Sequence, residues 1–356
     1  MHAWANKMKK KKRLAILIPS IVVGSLCLLY FGGGYIAALI IPDAIFGNRL
    51  STINDEKSFA KIAYYSQKDY PALNNRTEVT FASGDHSLTG YFYQAKEAKG
   101  TFVFAHGIHG YADDETAMIQ NSILEAGYSL FAIDLTASGR SEGEGIKSLA
   151  QGAYDVKAAL NYLFAQNQFY TPLSNLYLAG YSWGAYSVSA SLNFDYPSKI
   201  SGVLCFSGFD NPEGEMIALA RNYVGFLADM SIPMFDWGLA TKIGDDRHLS
   251  GSQGILNSGA KAYLVQGDED TVAPLSCSLY NALEDSPKVK RVLREGRGHS
   301  RPWLSESSEE ATKTLQNQAN QTDLETFEKS LDEETRASAN QIDESLIEDA
   351  LSFLTA

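Results

Sequence analysis

Cysteine is scarce in this chain: Cys27, Cys205 and Cys277 are scattered through 356 residues with no regular spacing. That excludes a disulfide framework and a thiolate metal cage. The six histidines are equally dispersed, so no metal-ligand spacing is present and no metal is expected. Basic charge is in deficit, with 30 Lys and Arg against 42 Asp and Glu and a formal net charge of −12. A balance of that sign argues against nucleic acid as a partner. No internal repeat is visible.

What charge there is lies unevenly. Lys7, Lys9, Lys10, Lys11, Lys12 and Arg13 crowd the amino end without an acid among them, and from Ser305 onward 13 acids face 3 bases. Between these ends, a chain that is 45% hydrophobic and 11% aromatic can bury one large core with accessories.

Leu14 to Ile41 holds no charged residue. At about 1.5 Å per residue, a helix of that length exceeds a hydrocarbon core of roughly 30 Å. Pro19 and Gly32-Gly33-Gly34 would kink or shorten it and still leave one crossing. A cleaved signal peptide is the rival, but its apolar region is normally about 7 to 15 residues and ends in small residues. Leu26-Cys27 is a poor lipid-attachment site, because a bulky residue precedes the cysteine. Residues 14–41 are therefore expected to form a transmembrane anchor. Residues 1–13 would be cytoplasmic and everything after Pro42 extracytoplasmic, as in a single-pass protein of a bacterial cell membrane. Residues 42–75 read as a linker with a helical piece over Lys57 to Tyr65.

From residue 76 the pattern changes. Thr77 to Ala82 and Leu88 to Gln94 alternate around a Ser83-Gly84-Asp85-His86 turn, which reads as a hairpin. Apolar runs follow at Thr101 to Ala105, Tyr128 to Ile133, Leu176 to Tyr181, Ile200 to Phe206, Ala262 to Val265 and Val289 to Leu293. Helical segments over Thr116 to Ala126, Leu149 to Gln166 and Trp183 to Leu192 separate them. Such alternation predicts an α/β domain over 76–356, with a mostly parallel sheet of about eight strands and helices on both faces.

Two stretches interrupt it. Residues 211–258 carry Met216, Ile217, Leu219, Tyr223, Phe226, Leu227, Met230, Met234, Phe235 and Trp237, a small helical cap suited to the sheet's carboxyl edge. It would either complete the core or shape a substrate pocket. Residues 305–340 are rich in Ser, Glu, Gln, Asn and Thr and read as a polar helix or a partly disordered insert, with the acids solvated. Ile342, Leu346, Ile347, Ala350, Leu351 and Phe353 then return to helical spacing as a last helix on the sheet.

The chemistry centres on Gly180-Tyr-Ser-Trp-Gly184, a strand, tight turn and helix with Ser182 at the apex. The pattern Gly-x-Ser-x-Gly holds the serine on a strained backbone that exposes its hydroxyl, and glycine is required where a side chain would meet the neighbouring strand or helix. Four further stretches end strands beside it: Phe104-Ala-His-Gly-Ile-His-Gly110, Asp134-Leu-Thr-Ala-Ser-Gly-Arg-Ser-Glu-Gly143, Gln266-Gly-Asp-Glu-Asp-Thr-Val-Ala-Pro274 and Gly296-Arg-Gly-His-Ser300. Together they resemble the α/β-hydrolase superfamily over roughly Thr77 to Ala356, apart from the polar insert. The resemblance is to its lipase-like and serine-aminopeptidase-like branches, although Ala137 stands where the first glycine of the Asp-x-x-Gly stretch is usual.

The resemblance implies a catalytic triad in the order Ser182, Asp270, His299, with the backbone N–H groups of Ile108 and Trp183 as an oxyanion hole. Asp268 competes with Asp270, and Asp210 after the sixth strand is the runner-up acid. His106 and His109 are expected to shape the oxyanion loop, His86 to sit in a turn, and Asp134 to order its loop. His248, with Asp245, Asp246 and Arg247, would be solvated cap surface.

The expected protein is a membrane-anchored serine hydrolase, with no cofactor and no metal. It would cleave a small-molecule or lipid-like ester with an apolar acyl or alkyl part through an acyl-Ser182 intermediate. An amidase or peptidase with the same triad is the near alternative. A non-catalytic binding protein and an acyl transferase are the others.

Overall fold

The computed structural model describes residues 2–51, 58–166, 175–196, 199–225 and 227–356. In chain order, helices α1 (His2–Phe46) and α2 (Phe59–Ala63) precede β1 (Thr77–Ser83), β2 (His86–Tyr93), β3 (Thr101–Ala105), α3 (Ala117–Glu125) and β4 (Ser129–Ile133). Then come α4 (Gln151–Ala165), β5 (Leu176–Tyr181), α5 (Trp183–Ser191) and β6 (Ile200–Phe206). The cap follows as α6 (Pro212–Val224), α7 (Leu227–Ile243) and α8 (Gly251–Ser258), then β7 (Lys261–Gly267), α9 (Leu279–Ala282) and β8 (Val289–Arg294). The chain ends in α10 (Glu306–Ala319), α11 (Leu324–Ser330), α12 (Glu333–Ser338) and α13 (Glu344–Thr355).

The eight strands form one sheet in the order β1-β2-β4-β3-β5-β6-β7-β8. β1 and β2 make the antiparallel hairpin, closed at Ser83↔His86 over Gly84 at φ +57°, a left-handed position that suits glycine. β2 is antiparallel to β4, and every other pair is parallel. β3 is buried along its whole length. Its side chains alternate: Val103 and Ala105 join the core layer under α4 and α5, Phe102 and Phe104 the layer under α3 and α13. A strand buried on both faces needs apolar residues at every position, which is why these strands read as continuous runs.

α1 runs five residues past the predicted limit, through Pro42 to Phe46. Leu17–Phe46 is long and apolar enough to cross a membrane, with a mean hydropathy of 1.8. Its carboxyl half packs on α7. A Cβ on Gly238 would lie 2.6 Å from that of Ala38, so the two backbones approach closely at a pair of small residues. Tyr35 and Trp237 meet with centroids 4.6 Å apart, and Lys242 Nζ is 2.6 Å from an Asp43 carboxylate oxygen. The cap's apolar face is therefore shared between the sheet and α1. Met216, Ile217, Leu219 and Phe235 line a cavity of about 320 Å³ whose opposite wall is Gly34, Ala37, Ile41, Ala44 and Ile45. Met230 and Trp237 remain exposed, Phe226 lies outside the described residues.

Residues 305–340 fold into three helices rather than one polar helix or a disordered stretch. Leu315, Ala319, Phe327 and Ala339 form a small core with Ile62 and Ala63 of α2, so a helix expected within a linker is docked on the domain. Lys57, its expected first residue, lies outside the described residues. Asn340 fastens this module: its amide donates to the Ala63 carbonyl at 2.8 Å while its oxygen accepts from Tyr65 N–H at 2.9 Å.

Candidate active site

Ser182 stands between β5 and α5 at φ 55°, ψ −118°, a region costly for a residue with a side chain. The two glycines of its motif explain how the turn is made. A Cβ on Gly184 would collide with the Ala105 carbonyl, and one on Gly180 would lie 2.7 Å from Ala185 N. Ser182 N–H donates to the Phe206 carbonyl at 2.8 Å, tying the turn to β6.

The structure brings Ser182, His299 and Asp270 into one line. His299 Nε2 is 2.8 Å from Ser182 Oγ, and His299 Nδ1 is 2.8 Å from Asp270 Oδ2. An ionised carboxylate only accepts, so Nδ1 carries the proton and Nε2 is left to accept the serine's. Asp270 is buried and held from three other sides: Val272 and Ala273 N–H donate to Oδ1 at 2.9 and 2.8 Å, and the Gln266 amide to Oδ2 at 2.8 Å. The His299 carbonyl accepts from Ser207 Oγ at 3.1 Å, which fixes the loop.

The rival acids are engaged elsewhere. Asp210 accepts from Ser250 Oγ at 2.9 Å and Ser252 N–H at 2.8 Å, anchoring the start of α8. Asp268 is exposed. Asp134 accepts from Ala112 N–H at 2.8 Å, Arg140 N–H at 2.9 Å and the Tyr91 hydroxyl at 3.1 Å, and so orders its loop. Ala137 adopts φ 63°, the left-handed conformation that the more usual glycine would take without strain.

The expected oxyanion donors belong to the residue after the serine and to the turn after β3. Trp183 opens α5, and Gly107 is packed so closely that a Cβ there would lie 3.4 Å from Ser182 Cβ. Among the described residues, no group accepts from the Ile108 or Trp183 N–H. The orientation of the Ile108 N–H has a cause. Buried His106 takes the Leu135 N–H on Nε2 at 3.0 Å, so its Nδ1 carries the proton and donates to the Gly107 carbonyl at 2.6 Å. Gly110 N–H donates to the same carbonyl at 3.1 Å. In a trans peptide the C=O and the following N–H point opposite ways, so pinning the Gly107 oxygen turns the Ile108 N–H outward.

A cleft of about 430 Å³ lies along this turn, lined in part by Tyr64, Tyr65, Ile108, Glu115 and Tyr181. Burial and the neighbouring Asp114 push the Glu115 carboxyl up to about 7, with Arg301 opposing. On the cap side, burial pushes Glu215 up to about 8; its carboxylate takes a hydrogen bond from the Cys277 thiol at 3.4 Å.

Several supports were not legible as site residues. Arg301, two residues past His299, is buried, donates to Asn340 Oδ1 at 2.6 Å and lies 4.0 Å over the Tyr64 ring. Trp303 packs edge-on against Tyr181. His248 is exposed on the cap, as expected, with Nδ1 2.9 Å from a Glu213 carboxylate oxygen; with Asp236 these make a group whose ligand atoms lie within 4.8 Å of one another. Arg247 already neutralises Asp236 at 2.7 Å.

The sheet order, the strained serine and the Ser–His–Asp line define the class: an α/β-hydrolase. Residues 96–323, more than half of the chain, match the family model for serine aminopeptidase, S33. The chain belongs to that family. Its fold is also that of the Pyrococcus furiosus esterase Pf2001, at 17% identity and TM-score 0.50, over 76% of this chain and 97% of the esterase. A second crystal form of that esterase gives 15% identity, TM-score 0.50 and coverage of 76% and 96%. The Pyrococcus horikoshii acylaminoacyl peptidase aligns at 19% identity and TM-score 0.49, over 64% of this chain and 38% of the peptidase. No curated protein sequence matches the chain.

Proposed function

We propose that this hydrolase is anchored in a membrane by α1, faces away from the cytoplasm, and cleaves a carboxylic ester with an apolar acyl or alkyl group. The observation that carries the reading is the unbroken hydrogen-bonded line from Ser182 through His299 to buried Asp270. As Ser182 Oγ attacks the ester carbonyl, its proton passes to His299 Nε2, and Asp270 stabilises the imidazolium. The oxyanion is held by the Ile108 and Trp183 N–H groups, the latter backed by the dipole of α5. On collapse His299 returns the proton to the leaving alcohol, and the acyl-serine is then hydrolysed by water activated in the same way. Every step uses side chains and amides of this chain. The apolar acyl or alkyl part would be taken up by the cavity of about 320 Å³ between α1 and the cap.

A second reading is aminoacyl amide or peptide cleavage, favoured by Glu115. Its carboxylate lines the cleft beside the oxyanion turn, where a substrate ammonium would offset the unfavourable burial of its charge. The test is turnover of the full-length protein in detergent on p-nitrophenyl esters of increasing chain length and on aminoacyl p-nitroanilides. Ester hydrolysis rising with chain length supports the first reading. Faster anilide turnover, lost in Glu115→Gln, replaces it with the second.

A further inference from the structure

We propose that Arg49, Leu50 and Ser51, the few residues by which α1 enters the domain, are positioning residues for the oxyanion turn, so that the anchor and the reacting centre are one mechanical unit. The proposal rests on the serine-hydrolase reading and adds a role for a stretch that looked like linker.

The segment is gripped along its length. Phe46 carbonyl accepts from Ile146 N–H at 2.7 Å, and a Cβ on Gly145 would collide with Gly47, so the exit from α1 lies flat on the loop after β4. Arg49 spreads its guanidinium over three carbonyls of that loop: Gly139 at 2.6 Å, Ser141 at 3.0 Å and Gly143 at 3.2 Å. Leu50 and Ser51 N–H both donate to the Ala137 carbonyl, at 2.9 and 3.3 Å. Leu50 and Ser51 are buried, 6% and 3% exposed, which a passive tether has no reason to be.

From this base the segment reaches the oxyanion turn twice. The Leu50 carbonyl accepts from His109 Nδ1 at 2.9 Å. Ser51 Oγ donates to the Gly110 carbonyl at 2.7 Å and accepts Gly139 N–H at 3.2 Å, bridging the turn to the loop after β4. These two contacts fall on the His109–Gly110 half of the turn, which is otherwise tied back to Gly107 by the Gly110 N–H at 3.1 Å. His106 fixes Gly107 at the front. His109, at φ 61°, holds a conformation unfavourable for a non-glycine residue and needs an external clamp. The Ile108 N–H lies between the two fixed ends, so loosening the rear end lets the donor swing away from where the oxyanion forms.

An oxyanion donor acts on the transition state and barely on the bound ester, so its displacement lowers kcat and spares KM. The test uses the full-length chain in detergent, comparing wild type with Ser51→Ala and Ser51→Thr. Three quantities are read: kcat and KM on a p-nitrophenyl ester, inhibition by a trifluoromethyl ketone, which forms an oxyanion on Ser182, and hydrogen exchange of the 106–111 peptide. For Ser51→Ala the expectation is a kcat loss of about tenfold with KM within twofold, since full loss of a donor costs more. Ketone affinity should weaken by the same factor and exchange in 106–111 should quicken. The threonine variant, which keeps the hydroxyl, should restore most of both. Unchanged kcat and unchanged exchange in Ser51→Ala would overturn the proposal, as would a loss that follows melting temperature alone and leaves ketone affinity intact. If wild type neither turns over ester nor binds the ketone, the serine-hydrolase reading fails, while the exchange comparison still decides whether Ser51 clamps the turn.

Discussion

His106 holds the carbonyl of the residue that follows it: its Nδ1 lies 2.6 Å from Gly107 O, while Leu135 N–H occupies the other ring nitrogen. No catalytic proton passes through this imidazole, yet it fixes the peptide whose N–H is the proposed oxyanion donor. His106→Ala should reduce kcat on a p-nitrophenyl ester by about 10- to 100-fold with little change in KM. It also strands the buried Leu135 N–H, with a stability loss of about 1–3 kcal/mol. Steady-state kinetics well below the melting temperature separate the two effects.

Gly184 tolerates no side chain. Gly184→Ala drives a methyl into the Ala105 carbonyl oxygen at the end of β3, where neither backbone has room to move. The expected outcome is a destabilisation of about 3 kcal/mol or more, or failure to fold. Thermal melting of the purified variant against wild type measures it.

Glu215 makes stability depend on pH. Burial raises its carboxyl from 4.5 to about 8 in the folded state. Between those values the folded protein binds the extra proton, so the stability this group contributes is present below pH 4.5 and is lost as pH rises toward 8. Glu215→Gln, which keeps the shape without the charge, should flatten that decline and gain on the order of 1–3 kcal/mol at pH 8. Melting curves of both proteins from pH 5 to 9 report the difference, and parallel curves would assign the decline to other groups.

The cavity between α1 and the cap is the proposed place of the apolar chain. Ala220 lines it from α6, and Ala220→Trp would fill much of its roughly 320 Å³. If an acyl chain enters there, kcat/KM for a decanoyl ester should fall at least tenfold, while that for an acetyl ester should change by less than threefold. Equal losses on both esters would place the chain elsewhere.

The sheet was legible because its strands are buried on both faces and so stay apolar throughout, and the meeting of Ser182, His299 and Asp270 because all three follow strand ends. The supports were not. Asn340 and Arg301 meet across 39 positions of sequence, and nothing local in either residue's surroundings announces the pairing. The 305–340 insert reads as solvated because its acids outnumber its apolar residues. The few that matter, Leu315, Ala319 and Phe327, need a partner helix from residues 59–63 to become a core. Ser51 likewise gave no signal, because its role is set by two loops that are distant in the chain.

Attachment of a fluorophosphonate to the full-length protein, located by peptide mass mapping, tests the nucleophile most directly. The expected result is one adduct, on Ser182, absent in Ser182→Ala and formed at least a hundredfold more slowly in His299→Ala. An adduct on another serine, or labelling that survives in Ser182→Ala, would contradict the account.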